Sequence, residues 1–141
     1  MQQTEFIVSS EPEAGEIQYL EDRLYEFNSS ATGITDGELL AIFVKDDDHR
    51  IVAGICGNTW GGCAEIRQFW VDETRRNKGL GTRLLKAAEE EARRRGCRQM
   101  VLMTFGFQAP HFYARNNFEI VAVVDEHPRG HKNMLLRKQL S

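Results

Sequence analysis

The sequence predicts one mixed α/β domain, and three observations carry that expectation. Short apolar runs alternate with period two, others recur at helical spacing, and a strand–helix–strand unit occupies the middle of the chain. A length of 141 residues, with 41% hydrophobic and 28% charged residues, suits a single domain (residues 1–141) with a full core.

Residues 4–9 (TEFIVS) alternate as a short strand. Ser10 and Glu13 have the spacing of a capping box, and Ile17, Leu20, Leu24 and Phe27 follow at helical spacing. Residues 28–37 are polar and read as a loop or short helix. Runs at 39–44 and 51–58 form a hairpin around the polar segment 45–50, and Trp60-Gly61-Gly62 turns the chain into a strand over 64–71. From 82 to 95 the period changes. Leu84, Leu85, Ala88 and Ala92 make an apolar stripe, and Glu89–Arg93, Glu90–Arg94 and Glu91–Arg95 are i,i+4 pairs on the opposite, exposed face. Gly96 stops that helix. Residues 100–104 form a buried strand, 108–116 a short helix, and 118–124 and 133–137 two more strands. The unit from 64 to 104 is a βαβ crossover, so its strands should be parallel, with hairpins making the rest antiparallel. A parallel pair in such a sheet opens a place for a ligand at the strand ends.

Composition narrows the function classes. No run approaches the roughly 20 apolar residues of a membrane span, and residues 1–10 lack the pattern of a signal peptide. Cys56, Cys63 and Cys97 form no CxxC pair, which points to small buried thiols in a cytoplasmic protein rather than a disulfide or zinc framework. His49, His111, His127 and His131 show no metal-ligand spacing, so no metal is expected. The net charge of −3 hides an asymmetry: residues 1–70 hold 4 Lys/Arg against 13 Asp/Glu (net −9), and residues 71–141 hold 14 against 8 (net +6). Two differently charged ligands meeting in one site would suit that split. Nucleic acid is not expected, because Arg93–Arg95 are paired to glutamates.

The densest chemical signal is Arg75-Arg76-Asn77-Lys78-Gly79-Leu80-Gly81-Thr82, between the strand and helix of the crossover. Its glycines allow a tight turn and close backbone approach, and the helix N-terminus adds free N–H groups, a combination suited to a pyrophosphate. A Walker loop needs a Gly-Lys-Ser/Thr that is absent, and a dinucleotide fingerprint needs Gly where Leu84 stands. What remains is R-x-x-G-x-G at Arg76, Gly79 and Gly81. This resembles the acyl-coenzyme-A signature of the GNAT acetyltransferase superfamily. Tyr113, preceded by Ala109 and followed four residues later by Asn117-Phe118, resembles the family's second motif. Asn117 replaces the usual Gly, and Gly106 stands where many members carry an Asn that touches the cofactor arm.

The resemblance implies a GNAT-like fold, a mostly antiparallel sheet with one parallel pair and flanking helices. It also implies acetyl-coenzyme A as co-substrate. The segment Arg76, Asn77, Lys78, Gly79, Leu80, Gly81 and Thr82 would hold its phosphates. The backbone of Phe69, Trp70 and Val71 would bind the pantetheine arm and the oxyanion, with the Trp70 side chain turned into the core. Tyr113 would protonate the departing thiolate. Acetylating an amine also requires a neutral nitrogen, and removing its proton at pH 7 costs roughly 4–5 kcal/mol. Glu65 is the candidate base: in a regular strand it shares a face with Arg67, Phe69 and Val71, which would seat it among apolar groups lining the cleft. Its Ala-Glu-Ile context is similar to that of histone-type members. Pairing with Arg67 is the structural alternative, and His111 and His131 are reserve bases. The acceptor implied is the primary amine of a small molecule, attacking directly in a ternary complex. A protein lysine or N-terminus, or a non-catalytic acyl-coenzyme-A sensor, are the alternatives. Many relatives dimerise, which leaves a homodimer open.

Overall fold

The computed structural model describes residues 3–140. The chain divides into two compact units, with the boundary between Thr35 and Asp36.

The first unit contains helix α1 (Glu16–Thr32). Residues 4–9 form no strand: a strand exists through its ladder, and alternation alone supplies no partner. Nor does the Ser10–Glu13 box start the helix. Gly15 sits at φ 92°, which interrupts any helix begun at Ser10, and Glu16 Oε1 instead accepts the Glu13 N–H at 2.7 Å. The helix also runs further than its polar end suggests, because Thr32 Oγ1 donates to Asn28 O at 2.7 Å and keeps the last turn closed. Gly33, at φ 74°, ends it by donating to Ser29 O.

The second unit is a six-stranded sheet with two helices. Its strands are β1 (Glu38–Lys45), β2 (Ile51–Trp60), β3 (Cys63–Val71), β4 (Gln99–Phe105), β5 (Glu119–Asp125) and β6 (Lys132–Gln139), in spatial order β1-β2-β3-β4-β6-β5. Helix α2 (Leu80–Arg94) connects β3 to β4, and α3 (Pro110–Arg115) connects β4 to β5. Among the described residues, only β3 and β4 pair in parallel, as the crossover predicts. Leu84, Leu85, Ala88 and Ala92 of α2 are buried with Leu40, Ile55, Met100 and Leu136 of the sheet. The end of α2 is a Schellman motif: Cys97 N–H bonds to Ala92 O at 2.8 Å and Gly96 N–H to Arg93 O at 2.9 Å, around Gly96 at φ 83°.

The charged side of α2 is less exposed than its pattern suggests. Glu89 is 4% exposed and meets Lys138 of β6 at 2.7 Å. Arg94 pairs with Glu91 rather than Glu90. Arg95 reaches Leu39 O at 2.8 Å and Thr59 Oγ1 at 3.2 Å, fastening the helix end to β1 and β2.

Two irregularities position the site. The β3–β4 ladder stops at Ile66↔Leu102, while β3 continues along β2 and β4 along β6, so a wedge opens between the two parallel strands. In addition, Cys56 pairs with Gln68 but Gly57 pairs with Ile66, leaving Arg67 as an extra residue that bulges β3. Gly57 permits this: a Cβ there would lie 1.8 Å from Glu65 O. Gly57→Ala should therefore destabilise the protein by more than about 3 kcal/mol in urea unfolding. Gly106→Ala, whose Cβ would meet Lys132 O at an ordinary 3.7 Å, should cost under about 1 kcal/mol. Equal costs for the two would show that the approach at Gly57 is not limiting.

Candidate active site

A cleft of about 410 Å³ opens beside the end of β3. Its walls are Phe69 and Val71 of β3, the segment Arg75, Arg76, Asn77, Gly79, Leu80, Gly81 and Thr82, and Ala109, Phe112, Tyr113 and Arg115 of the α3 region. Residues 76–82 are thus brought to one place with Tyr113, except that the Lys78 side chain does not line it. The loop's conformation follows from its residues. Glu73–Arg75 makes a single 3₁₀ turn, Asn77 takes φ 62°, and Gly79 at φ 79° is the N-cap of α2. No side chain caps that helix, and Arg83 N–H to Gly79 O is its first bond, so Leu80, Gly81 and Thr82 begin the helix at the cleft wall. Arg76 Nε donates to Val71 O at 2.9 Å, tying the loop back to β3.

Sequence reasoning missed Arg115 as a cleft cation. Its signal was present: Ala109, Phe112 and Arg115 are three apart and line one side of α3. Phe69 packs with Phe112 (5.9 Å, 71°) and Tyr113 (6.4 Å, 67°), and Tyr113 with Phe118 (5.5 Å), giving the cleft an aromatic floor. Tyr113 is 8% exposed, and burial pushes its hydroxyl up to about 12. Burial therefore keeps the hydroxyl protonated over a wider pH range than in water. Asn117, at φ 70°, donates to Ala114 O while Phe118 N–H reaches Tyr113 O at 3.0 Å, which is the left-handed helix end that Gly supplies elsewhere.

Three expectations for β3 are corrected by the bulge at Arg67. Glu65 does not share a face with Phe69 and Val71. Ala64, Ile66, Phe69 and Val71 lie toward the core, while Glu65 and Arg67 point to the other face. Glu65 therefore does not line the cleft and is not enclosed by apolar groups. Its side chain is half exposed, 3.9 Å from Arg67, an ion pair of little energy. Trp70 is not turned into the core but is 47% exposed on the face away from Phe69. Glu65 still stands one residue before the last β3–β4 pair, at the mouth of the wedge. The structure thus places Tyr113 and the glycine loop on one side of the opening and Glu65 on the other. Among the described residues, no cluster of His, Cys, Asp or Glu could hold a metal ion, and no helix is long and apolar enough to cross a membrane.

A family model described as acetyltransferase (GNAT) family matches residues 3–118. The chain belongs to the GNAT acetyltransferase family. It is 32% identical over 113 residues to an acetyltransferase of Agrobacterium fabrum, covering 80% of this chain and 82% of the relative. It is 33% identical over 104 residues to blasticidin-S acetyltransferase of Streptomyces morookaense, covering 73% and 76%. A crystal structure from Agrobacterium tumefaciens assigned as an acetyltransferase superposes with a TM-score of 0.85 at 29% identity, over 96% of this chain and 99% of that one. As a GNAT member, the protein is an acyltransferase enzyme, with the mixed sheet and single parallel pair that its sequence predicts.

Burial of Tyr113 in this GNAT fold has a measurable consequence. Below about pH 10 its hydroxyl is neutral in both folded and unfolded chains, and its contribution to stability is intact. Between pH 10 and about 12 the unfolded chain releases the proton and the folded one retains it, so stability falls as pH rises. Across that window the wild type should lose about 2–3 kcal/mol more than Tyr113→Phe in urea unfolding. Parallel losses would show that Tyr113 ionises as freely when folded.

Proposed function

We propose that the protein transfers an acetyl group from acetyl-coenzyme A to the primary amine of a small molecule, by direct attack in a ternary complex. The observation that carries this reading is the wedge itself. An uncapped helix N-terminus and the cations Arg75, Arg76 and Arg115 lie on one side, with a carboxylate across the opening. A pyrophosphate fits the first side: it accepts from the N–H groups of Leu80, Gly81 and Thr82 and meets the positive end of α2. Bound there, acetyl-coenzyme A supplies a thioester whose carbonyl carbon bonds to the amine nitrogen while its carbon–sulfur bond breaks, the sulfur leaving with the electron pair.

Residues of this chain then have distinct roles. The edge of β3 left open beyond its ladder with β4, over Phe69, Trp70 and Val71, binds the pantetheine arm as an added strand and holds the developing oxyanion. Glu65 takes the amine's proton; its half exposure suits relay through a water molecule. Tyr113 donates a hydrogen bond to the departing sulfur, which is protonated to the free thiol. The family match spans both compact units, which supports residues 1–141 working as one domain. The small-molecule acceptor is supported by the relative named for blasticidin-S. Free Cys56, Cys63 and Cys97 suit the reducing cytoplasm.

A thiol-release assay against an amine panel tests the reading. Glu65→Gln should lower kcat roughly 100-fold with coenzyme A affinity nearly unchanged, and Tyr113→Phe should lower kcat by about 10–100-fold. Tight coenzyme A binding without turnover on any amine would mean a sensor, and no binding would end the proposal. Undiminished activity in Glu65→Gln would remove Glu65 from the role of base.

A further inference from the structure

We propose that an aromatic group at the far end of β4 is the acceptor's second subsite, and that it selects amines carrying an aromatic ring. The inference rests on the acetyl-transfer reading and names the acceptor class for that site. Phe105 and Phe107 stack with centroids 5.4 Å apart and planes 3° from parallel. His127 stands nearly perpendicular to Phe105 at 5.5 Å, and His131 to Phe107 at 5.0 Å. Phe107 nevertheless remains 57% exposed. Core aromatics such as Tyr113 and Phe118 are buried by their packing; this group is assembled at the surface and left open.

The group is held in place before any ligand arrives. Phe105 pairs with Asn133 in the β4–β6 ladder, and its N–H donates to Gln108 Oε1 at 2.8 Å. The Asn133 amide, on a residue 5% exposed, sits 3.3 Å from His127 Nδ1. His127 N–H bonds to His131 O at 3.1 Å, and His131 N–H to Pro128 O at 2.8 Å, so the backbone that carries the two imidazoles is closed at the neck of the β5–β6 hairpin. A stack already assembled by its own ring contacts binds a third ring with less loss of side-chain entropy than separate side chains would.

Its position ties it to the reaction. Glu65 is opposite Val101 in the parallel ladder, and cross-strand partners share a face. Val101, Met103 and Phe105 follow at every second residue of a regular strand, so Phe105 lies on the face of the sheet that carries Glu65. Phe105 is three residues beyond Leu102, where the wedge opens, or about 10 Å along β4. An acceptor whose ring and amine are several bonds apart spans that interval; one with a single intervening carbon does not.

The experiment compares benzylamine, phenylbutylamine, hexylamine and agmatine as acceptors for the intact protein with acetyl-coenzyme A. Phenylbutylamine should exceed hexylamine in kcat/KM by roughly tenfold, through a lower KM, and should exceed benzylamine as well. Phe107→Ala should bring phenylbutylamine level with hexylamine, and Phe107→Tyr should restore the preference. Equal use of the two amines by the wild type, a preference for the planar cation of agmatine, or a preference that survives Phe107→Ala would each overturn the proposal. Binding is read separately by proton NMR of the four histidines during titration with phenylbutylamine. Ring-current shifts confined to His127 and His131 support the subsite even if no amine is acetylated, an outcome that would count against the transfer reading alone. Unmoved His127 and His131 signals would refute the subsite whatever the turnover.

Discussion

Much of the site's geometry depends on one close approach, at Gly57, where β2 meets the Glu65 carbonyl with no room for a side chain. That approach lets Arg67 stand out of the ladder as a bulge, and the bulge reverses which residues of β3 face the core. Phe69 and Val71 turn toward the helices, where they form the floor and rim of the cleft. Glu65 stays on the opposite face, so its carboxylate and the cleft lie on two sides of the sheet, near the point where β3 and β4 part. A regular β3 would put the carboxylate on the same face as Phe69 and Val71.

The two sides differ in physical character, and the difference suits two ligands. On the helix side, Arg75, Arg76 and Arg115 surround the uncapped end of α2, and four aromatic rings lie below them. Cations and free N–H groups hold an anion, and the rings exclude water from the reacting end. Burial keeps the Tyr113 hydroxyl protonated well above neutral pH. On the other side lie the half-exposed Glu65 carboxylate and the exposed Phe105–Phe107 stack.

Local signals in the sequence were reliable where chemistry and conformation coincide in adjacent residues. Gly79 and Asn77 hold the left-handed backbone that glycine and asparagine tolerate, and Gly96 ended α2 by the bonding pattern its position predicts. The stripe Leu84, Leu85, Ala88 and Ala92 could only bury itself on a sheet. Signals failed where a tertiary partner decided the outcome. Alternation over residues 4–9 found no ladder, Gly15 overrode the capping box at Ser10, and Glu89 was drawn from a surface pair into a buried one by Lys138, 49 residues away. The spacing of Phe112 and Arg115 put them on one side of α3, but that this side meets the cleft was decided by the tertiary structure.

The sequence by itself determined the order of elements from α1 onward, the parallel pair within the crossover and the basic glycine loop. Each of these follows from residue type and spacing over a few neighbouring positions. Only the tertiary structure decided where the side chains of β3 point and what surrounds them. A single unpaired residue inverts the alternation of a strand, and whether it is paired depends on a glycine ten residues earlier in a neighbouring strand. The face assigned to Glu65, the exposure of Trp70, and the joining of Phe105 and Phe107 with two histidines from a distant hairpin are all of that kind.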